Sequence, residues 1–151
     1  MNNRFETFTT LVNRINRSIR RIKIQEMADY GLRSTHISCL YYLYISNGLT
    51  ATELCERCEE DKAAISRALE YLETAGYLTC EAQGGKRYRS LLLLTDKGQE
   101  VGRIIAGKIG GVLDVIGQEL SDEERQTFYR SLFIISERLE QLAQDNEKKE
   151  V

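Results

Sequence analysis

A mainly α-helical chain carrying one small β-wing is predicted by three features of this 151-residue sequence. Apolar residues recur at spacings of three and four over most of its length, and no proline interrupts them. Only between Leu78 and Leu94 does the pattern change, to two short strand-like runs about a Gly84-Gly85 turn. Cap residues punctuate the rest into six helices.

The first helix carries Phe5, Phe8, Leu11, Val12, Ile15, Ile19 and Ile22 on one stripe and ends near Gly31. Ser34 caps a second, with Ile37, Leu40, Tyr41 and Tyr44 as its stripe and Asn47-Gly48 as its stop. Thr50 and Glu53 have the capping-box spacing that opens a short third helix. Asp61 caps the fourth, which ends at Gly76 with Tyr77 as the hydrophobic contact. In that helix Ile65, Ala68, Leu69 and Leu72 make a core stripe, while Ala63, Ser66, Arg67 and Glu70 repeat the spacing on another face. Leu78 to Glu81 and Arg87 to Leu94 read as the two strands. The order cap, helix, turn, helix, strand, turn, strand from Thr50 to Thr95 is that of a winged helix-turn-helix.

After Thr95, a fifth helix presents Val101, Ile104, Ile105, Lys108, Val112 and Ile116 on one side. Its glycines, Gly102, Gly107, Gly110, Gly111 and Gly117, each cost about 1 kcal/mol relative to alanine, so close packing or a kink at Gly110-Gly111 must offset them. Ser121 and Glu124 form a second capping box. The sixth helix alternates fours and threes through Phe128, Leu132, Ile135, Leu139 and Leu142, a seam that calls for a partner helix. The chain reads as one domain, 1–151. Its winged helix-turn-helix lobe spans 33–95, and a helical dimerisation region spans 1–30 and 96–147.

The formal net charge of −2 gives no overall basic footprint, so any nucleic-acid contact must come from local charge. Arg14, Arg17, Arg20, Arg21 and Lys23 supply it in the first helix, and Lys62, Arg67, Lys86, Arg87 and Arg89 in the middle. No apolar run approaches the roughly 18 residues of a membrane span, and the start lacks a signal-peptide core. A cytoplasmic protein with Cys39, Cys55, Cys58 and Cys80 reduced is expected.

Three stretches, LRSTHISCL at Leu32 to Leu40, DKAAISRALEYLETAGY at Asp61 to Tyr77 and LTDKG at Leu94 to Gly98, occur in an order that resembles the MarR family of bacterial transcriptional regulators. The resemblance runs from about Phe5 to Leu142. It implies a homodimer with interlocked terminal helices, two recognition helices in successive major grooves of a pseudo-palindromic operator, and half-sites roughly 10 bp apart. It also implies repression relieved by a small-molecule effector or an oxidant. The family's wing commonly carries an aspartate that braces an arginine. Here the stretch is Gln83-Gly84-Gly85-Lys86-Arg87, and no acid lies in it.

Lys62, Ala63, Ala64, Ser66 and Arg67 occupy the first turns of the recognition helix. Arg67 suits a guanine edge, the alanines a thymine methyl, and Ser66 and Lys62 bases or phosphate. Without DNA the same residues are a solvated face with an Arg67–Glu70 pair. Lys86, Arg87 and Arg89 flank the turn and suit a minor groove or phosphates, or else guard a strand edge. Thr50 and Thr52 open the third helix, where hydroxyls hold a phosphate or only cap. Tyr30, His36, Tyr41 and Tyr44 fall where the family's effector cleft lies, and ordinary aromatic packing or, for His36, a structural hydrogen bond accounts for them as well.

Cys55-Glu56-Arg57-Cys58 has CxxC spacing but lacks the strand of a redox fold, and His36 is the sole histidine for a metal site. Small buried hydrophobes are the expectation for all four cysteines, with thiol or metal sensing through Cys55 and Cys58 the alternative. No cofactor and no resident metal are expected. The enzyme motifs are missing, Gly84-Gly85-Lys86 included, because no helix follows to make a phosphate loop. The remaining rival to a double-stranded DNA binder is a winged-helix module that binds another protein.

Overall fold

A computed structural model describes residues 3–81 and 90–149. The helices are α1 (Arg4–Glu26), α2 (Ser34–Ser46), α3 (Ala51–Cys58), α4 (Lys62–Thr74), α5 (Asp96–Gly117) and α6 (Asp122–Lys149). Between α4 and α5, β1 (Leu78–Glu81) pairs antiparallel with β2 (Leu91–Leu94) in the register Leu78↔Leu94 to Glu81↔Leu91. This is the winged helix-turn-helix arrangement. The chain forms two compact units, Met1–Ile109 and Gly110–Val151, so the division falls inside α5 at the glycine pair.

The first unit holds the core. Ile37, Cys39, Leu40 and Leu43 of α2 meet Leu54 of α3 and Ile65, Ala68, Leu69 and Leu72 of α4, with Leu78, Leu92, Val101 and Ile105 closing the cluster. Each fully buried leucine or isoleucine here contributes on the order of 2 kcal/mol. α4 buries the predicted stripe and leaves the other face outside because its apolar residues follow the helical period.

The predicted punctuation is present. Thr50 Oγ1 accepts from Glu53 N at 3.3 Å while the Glu53 carboxylate accepts from Thr50 N at 2.7 Å. Asp61 Oδ1 accepts from Ala64 N at 2.7 Å. Asn47 closes α2 at φ 56°, and Gly76 at φ 79° lets Tyr77 N return to Leu72 O at 2.8 Å. In the second unit, Ser121 and Glu124 exchange the same reciprocal bonds at the start of α6.

Three boundaries differ. α1 ends at Glu26, and a 3₁₀ turn at Ala28–Tyr30 carries the chain to Gly31, because Met27 turns into the core. Ser34 is the first residue of α2 and not its cap. Arg33 holds that position, its N–H donating to His36 Nδ1 at 3.2 Å. β2 is described from Leu91, and the residues expected to start it, Arg87 to Arg89, lie outside the described residues.

The terminal helices carry their apolar stripes in the open. α1 buries no residue, and Phe5, Leu11, Val12, Ile15 and Ile19 are all exposed. In the second unit, the five seam residues of α6 are between 39% and 60% exposed. On α5, Val101 and Ile105 are buried and Ile104 is half-buried, but Lys108 is exposed and pairs with Glu26 at 3.2 Å. Ile116 is exposed as well.

Candidate nucleic-acid interface

The turn Glu59 to Asp61 sets α4 against α3, with Glu59 in the left-handed region at φ 51°. Lys62, Ala63, Ser66, Arg67 and Glu70 are exposed on one side of α4, Ala64 is half-buried at its margin, and Ile65, Ala68, Leu69 and Leu72 are buried behind. No ion pair joins Arg67 to Glu70 among the described residues. The guanidinium stands outward from a helix anchored on its other side. Small residues beside it leave room for a surface to approach the backbone.

Thr52 is exposed in the first turn of α3 and Thr50 half-buried at its cap. The two hydrogen bonds from Thr50 hold the Glu53 carboxyl below its ordinary range, so this helix start keeps its negative charge at neutral pH. Thr52, Lys62 and Ser66 also line a cavity of about 430 Å³ between α3, α4 and the sheet, walled by Leu69, Leu78 and Leu92. Nothing in the spacing of the sequence marks that cavity, since four elements contribute to it. Lys86, Arg87 and Arg89 lie outside the described residues.

The aromatic group divides. His36 is buried and stacks on Tyr71 with ring centroids 4.4 Å apart. Burial, with the nearby Arg33 charge, lowers its pKa. Tyr41 sets its edge against Tyr42 at 5.3 Å. Tyr30 and Tyr44 are half-buried, both within electrostatic reach of Arg103 on α5, where Gly102 packs against the Tyr44 side chain. None of the four lines the cavity beside α4.

Cys39 is fully buried as expected, whereas Cys55, Cys58 and Cys80 are half-buried at the edge of the core. Among the described residues, no three His, Cys, Asp or Glu side chains gather as a metal site. No helix among them is long and apolar enough to cross a membrane.

The LTDKG stretch gains a physical account. Thr95 Oγ1 donates to Gly76 O at 2.6 Å and accepts from Gly98 N at 3.2 Å. Lys97 Nζ donates to Ala75 O at 2.7 Å while lying over the Tyr77 ring. Gly98 has no side chain because the Tyr77 carbonyl occupies that space. Thr95, Lys97 and Gly98 thus lock the end of α4 to the start of α5.

A helix-turn-helix whose second helix has one buried and one exposed face, followed by a two-stranded sheet, defines the winged helix-turn-helix class. The sequence model of the MarR family matches residues 30–87. The matched segment lies almost wholly within the winged helix-turn-helix, and it is similar there to a family whose members are transcription regulators. The fold is that of solved MarR structures. A MarR protein from Peptoclostridium difficile matches with a TM-score of 0.82 and 22% identity, covering 93% of this chain and 92% of that one. A MarR family regulator from Listeria monocytogenes, solved with a 26mer DNA, matches at 0.79 and 20%, covering 87% of each. A Staphylococcus aureus MarR, in complex with salicylate and kanamycin, matches at 0.78 and 18%, covering 90% of this chain and 91% of that one. No curated protein sequence matches the chain.

Proposed function

We propose that this protein is a homodimeric, sequence-specific repressor that reads a pseudo-palindromic operator and is released by a small-molecule effector or an oxidant. The observation that carries the reading is the two-faced α4, with Arg67 and Ser66 exposed over a buried stripe. The Listeria structure with DNA supports it, since the same fold there accompanies a duplex. Arg67 reads a base edge, Ala63, Ala64, Ser66 and Lys62 complete the groove contact, and Thr50, Thr52, Lys86, Arg87 and Arg89 meet the backbone or minor groove. Lobe 33–95 is the reading head, and 1–30 with 96–147 supply the dimer contacts. The open apolar stripes of α1 and α6 support the dimer, because surfaces of this kind are covered in a stable soluble protein.

The effector site falls in the region of Tyr30, His36, Tyr41 and Tyr44. Tyr30 and Tyr44 beside Arg103 offer an aromatic acid both stacking and charge. The salicylate bound by the Staphylococcus aureus protein has that chemistry.

Fluorescence anisotropy of wild type and Arg67→Ala, against the duplex upstream of the protein's own gene and with competitor DNA, tests the reading. Binding by wild type should weaken steeply with salt. Arg67→Ala should lose about 1–3 kcal/mol of discrimination, roughly 5- to 150-fold. Absence of specific binding by wild type, both there and in selection from random DNA, would overturn it.

A further inference from the structure

The two helices of the helix-turn-helix and the sheet enclose a cavity of about 430 Å³. Thr52, Cys55 and Glu56 stand three and four apart on α3, and the lining residues of α4 repeat that spacing from Lys62 to Glu73, so each helix contributes one face. The lining divides by chemistry. Ile65, Leu69, Leu78 and Leu92 are buried, and Cys55 and Cys80 are half-buried. Partial burial holds the Cys55 thiol above its ordinary range, so it stays uncharged and extends the apolar wall. Thr52, Glu56, Lys62 and Ser66 are exposed and mark where the cavity opens to solvent.

Aliphatic walls that face open space lose dispersion contacts on that side, and an apolar body placed there restores them. The volume lies within the roughly 300–1,000 Å³ of ligand cavities and well above the about 150 Å³ that admits benzene, so it suits a two-ring aromatic with a short arm. Charge narrows the class. Among the described residues the lining carries the carboxylates of Glu56 and Glu73 and the ammonium of Lys62, two negative groups against one positive. Glu56 is exposed and forms no ion pair among the described residues. A ligand carboxylate would meet a lining of its own sign, whereas a ligand ammonium would meet a carboxylate at the edge of an apolar wall.

We infer that this cavity is a binding site for a small aromatic amine, with its rings against the leucine wall and its ammonium at Glu56. The site is separate from the aromatic region, since Tyr30, His36, Tyr41 and Tyr44 do not line it. It shares Thr52, Lys62 and Ser66 with the DNA contacts proposed above, so amine and duplex exclude one another directly. That exclusion rests on the proposed function, whereas the binding does not.

The chain holds no tryptophan, so indole fluorescence reports the ligand alone. Cationic tryptamine, neutral tryptophol and anionic indoleacetate share that ring, and reduced full-length protein is titrated into each at fixed ionic strength. Tryptamine anisotropy should rise to saturation, with binding roughly two- to fivefold tighter than that of tryptophol and with indoleacetate the weakest. Glu56→Gln should abolish the preference and leave tryptophol binding unchanged. No tryptamine binding, tryptamine no tighter than tryptophol, or indoleacetate the tightest would overturn the inference. A maleimide footprint on wild type locates the ligand without any variant. At about ten times its dissociation constant, tryptamine should slow labelling of Cys55 and Cys80 roughly tenfold and spare Cys58, which is half-buried but does not line the cavity. Tryptic cleavage after Arg57 and Arg67 puts those three on separate peptides, and tandem mass spectrometry tells Cys55 from Cys39. Unprotected Cys55 and Cys80, or equal slowing at Cys58, would remove the ligand from this cavity. On the operator duplex, tryptamine should raise the apparent Kd in proportion to its concentration without a plateau. A plateau would mean that both bind together and would refute direct exclusion. Protein with no specific DNA site defeats the proposed function and leaves the fluorescence and footprint results standing.

Discussion

Two glycines of α5 should respond to the same substitution with opposite signs. A Cβ at Gly98 would overlap the Tyr77 carbonyl oxygen, lie 3.0 Å from its carbon and crowd Leu94 Cδ2 at 3.1 Å. The obstacle is backbone that also accepts from Thr95 N at 3.1 Å, so it has little freedom to withdraw. Overpacking of this kind costs about 1–3 kcal/mol, occasionally more, and an overlap with backbone belongs at the upper end. Subtracting the roughly 1 kcal/mol that alanine gains over glycine in a helix leaves Gly98→Ala about 2 kcal/mol less stable. On a chain of this size that lowers Tm by ~4–8 °C. Gly107→Ala meets no atom within 4 Å, keeps only the propensity gain, and should raise Tm by ~2–4 °C. Urea unfolding followed by circular dichroism, at one fixed protein concentration so that any association contributes equally, measures both. A Gly98→Ala protein within about 0.5 kcal/mol of wild type would refute the packing argument. A destabilised Gly107→Ala would show that something outside this chain fills the space beside it.

Asp61→Ala removes the side-chain acceptor of Ala64 N and should cost about 1 kcal/mol, read as a lower urea midpoint with an unchanged slope. Leu132→Glu with Leu139→Glu puts two charges on the open seam of α6, and if the proposed dimer uses that seam, sedimentation should find the variant at a lower mass than wild type; an unchanged mass would remove the seam from the interface. His36 has a folded pKa below its unfolded value of 6.5, so the unfolded chain takes up a proton first as pH falls. Its contribution should be complete above pH 6.5 and decline through the window below it. His36→Gln should flatten that part of the stability profile, and an identical slope in the variant would assign the effect elsewhere.

Local signals were readable in the sequence because local chemistry enforces them. A hydroxyl three residues before a glutamate satisfies backbone groups within one turn, and so Thr50-Glu53 and Ser121-Glu124 appear where expected. The stripe of α4 is set by helical period alone, and its outer face follows by subtraction. Long-range contacts left no such trace. The CxxC spacing does not show that the core takes Cys39 whole and leaves Cys55 and Cys58 half-buried at its edge, since that depends on how α3 packs on α2. Met27 breaks what reads as one continuous helix to Gly31 because the core claims its side chain. The exposure of Ser66 was legible, but its lining one cavity with the β-strand residues Leu78 and Leu92 was not.

Leu49, just ahead of α3, forms an isolated bridge with Leu92, whose N–H donates to Leu49 O at 2.9 Å. Leu92 also faces Cys80 across the sheet, so β2 is held on both sides at that residue. The first turn of the helix-turn-helix and the base of the wing are thereby stitched at one amide. That amide is a built-in clock. Its hydrogen-exchange rate times every opening that parts the two halves of the winged helix-turn-helix, whatever provokes the opening.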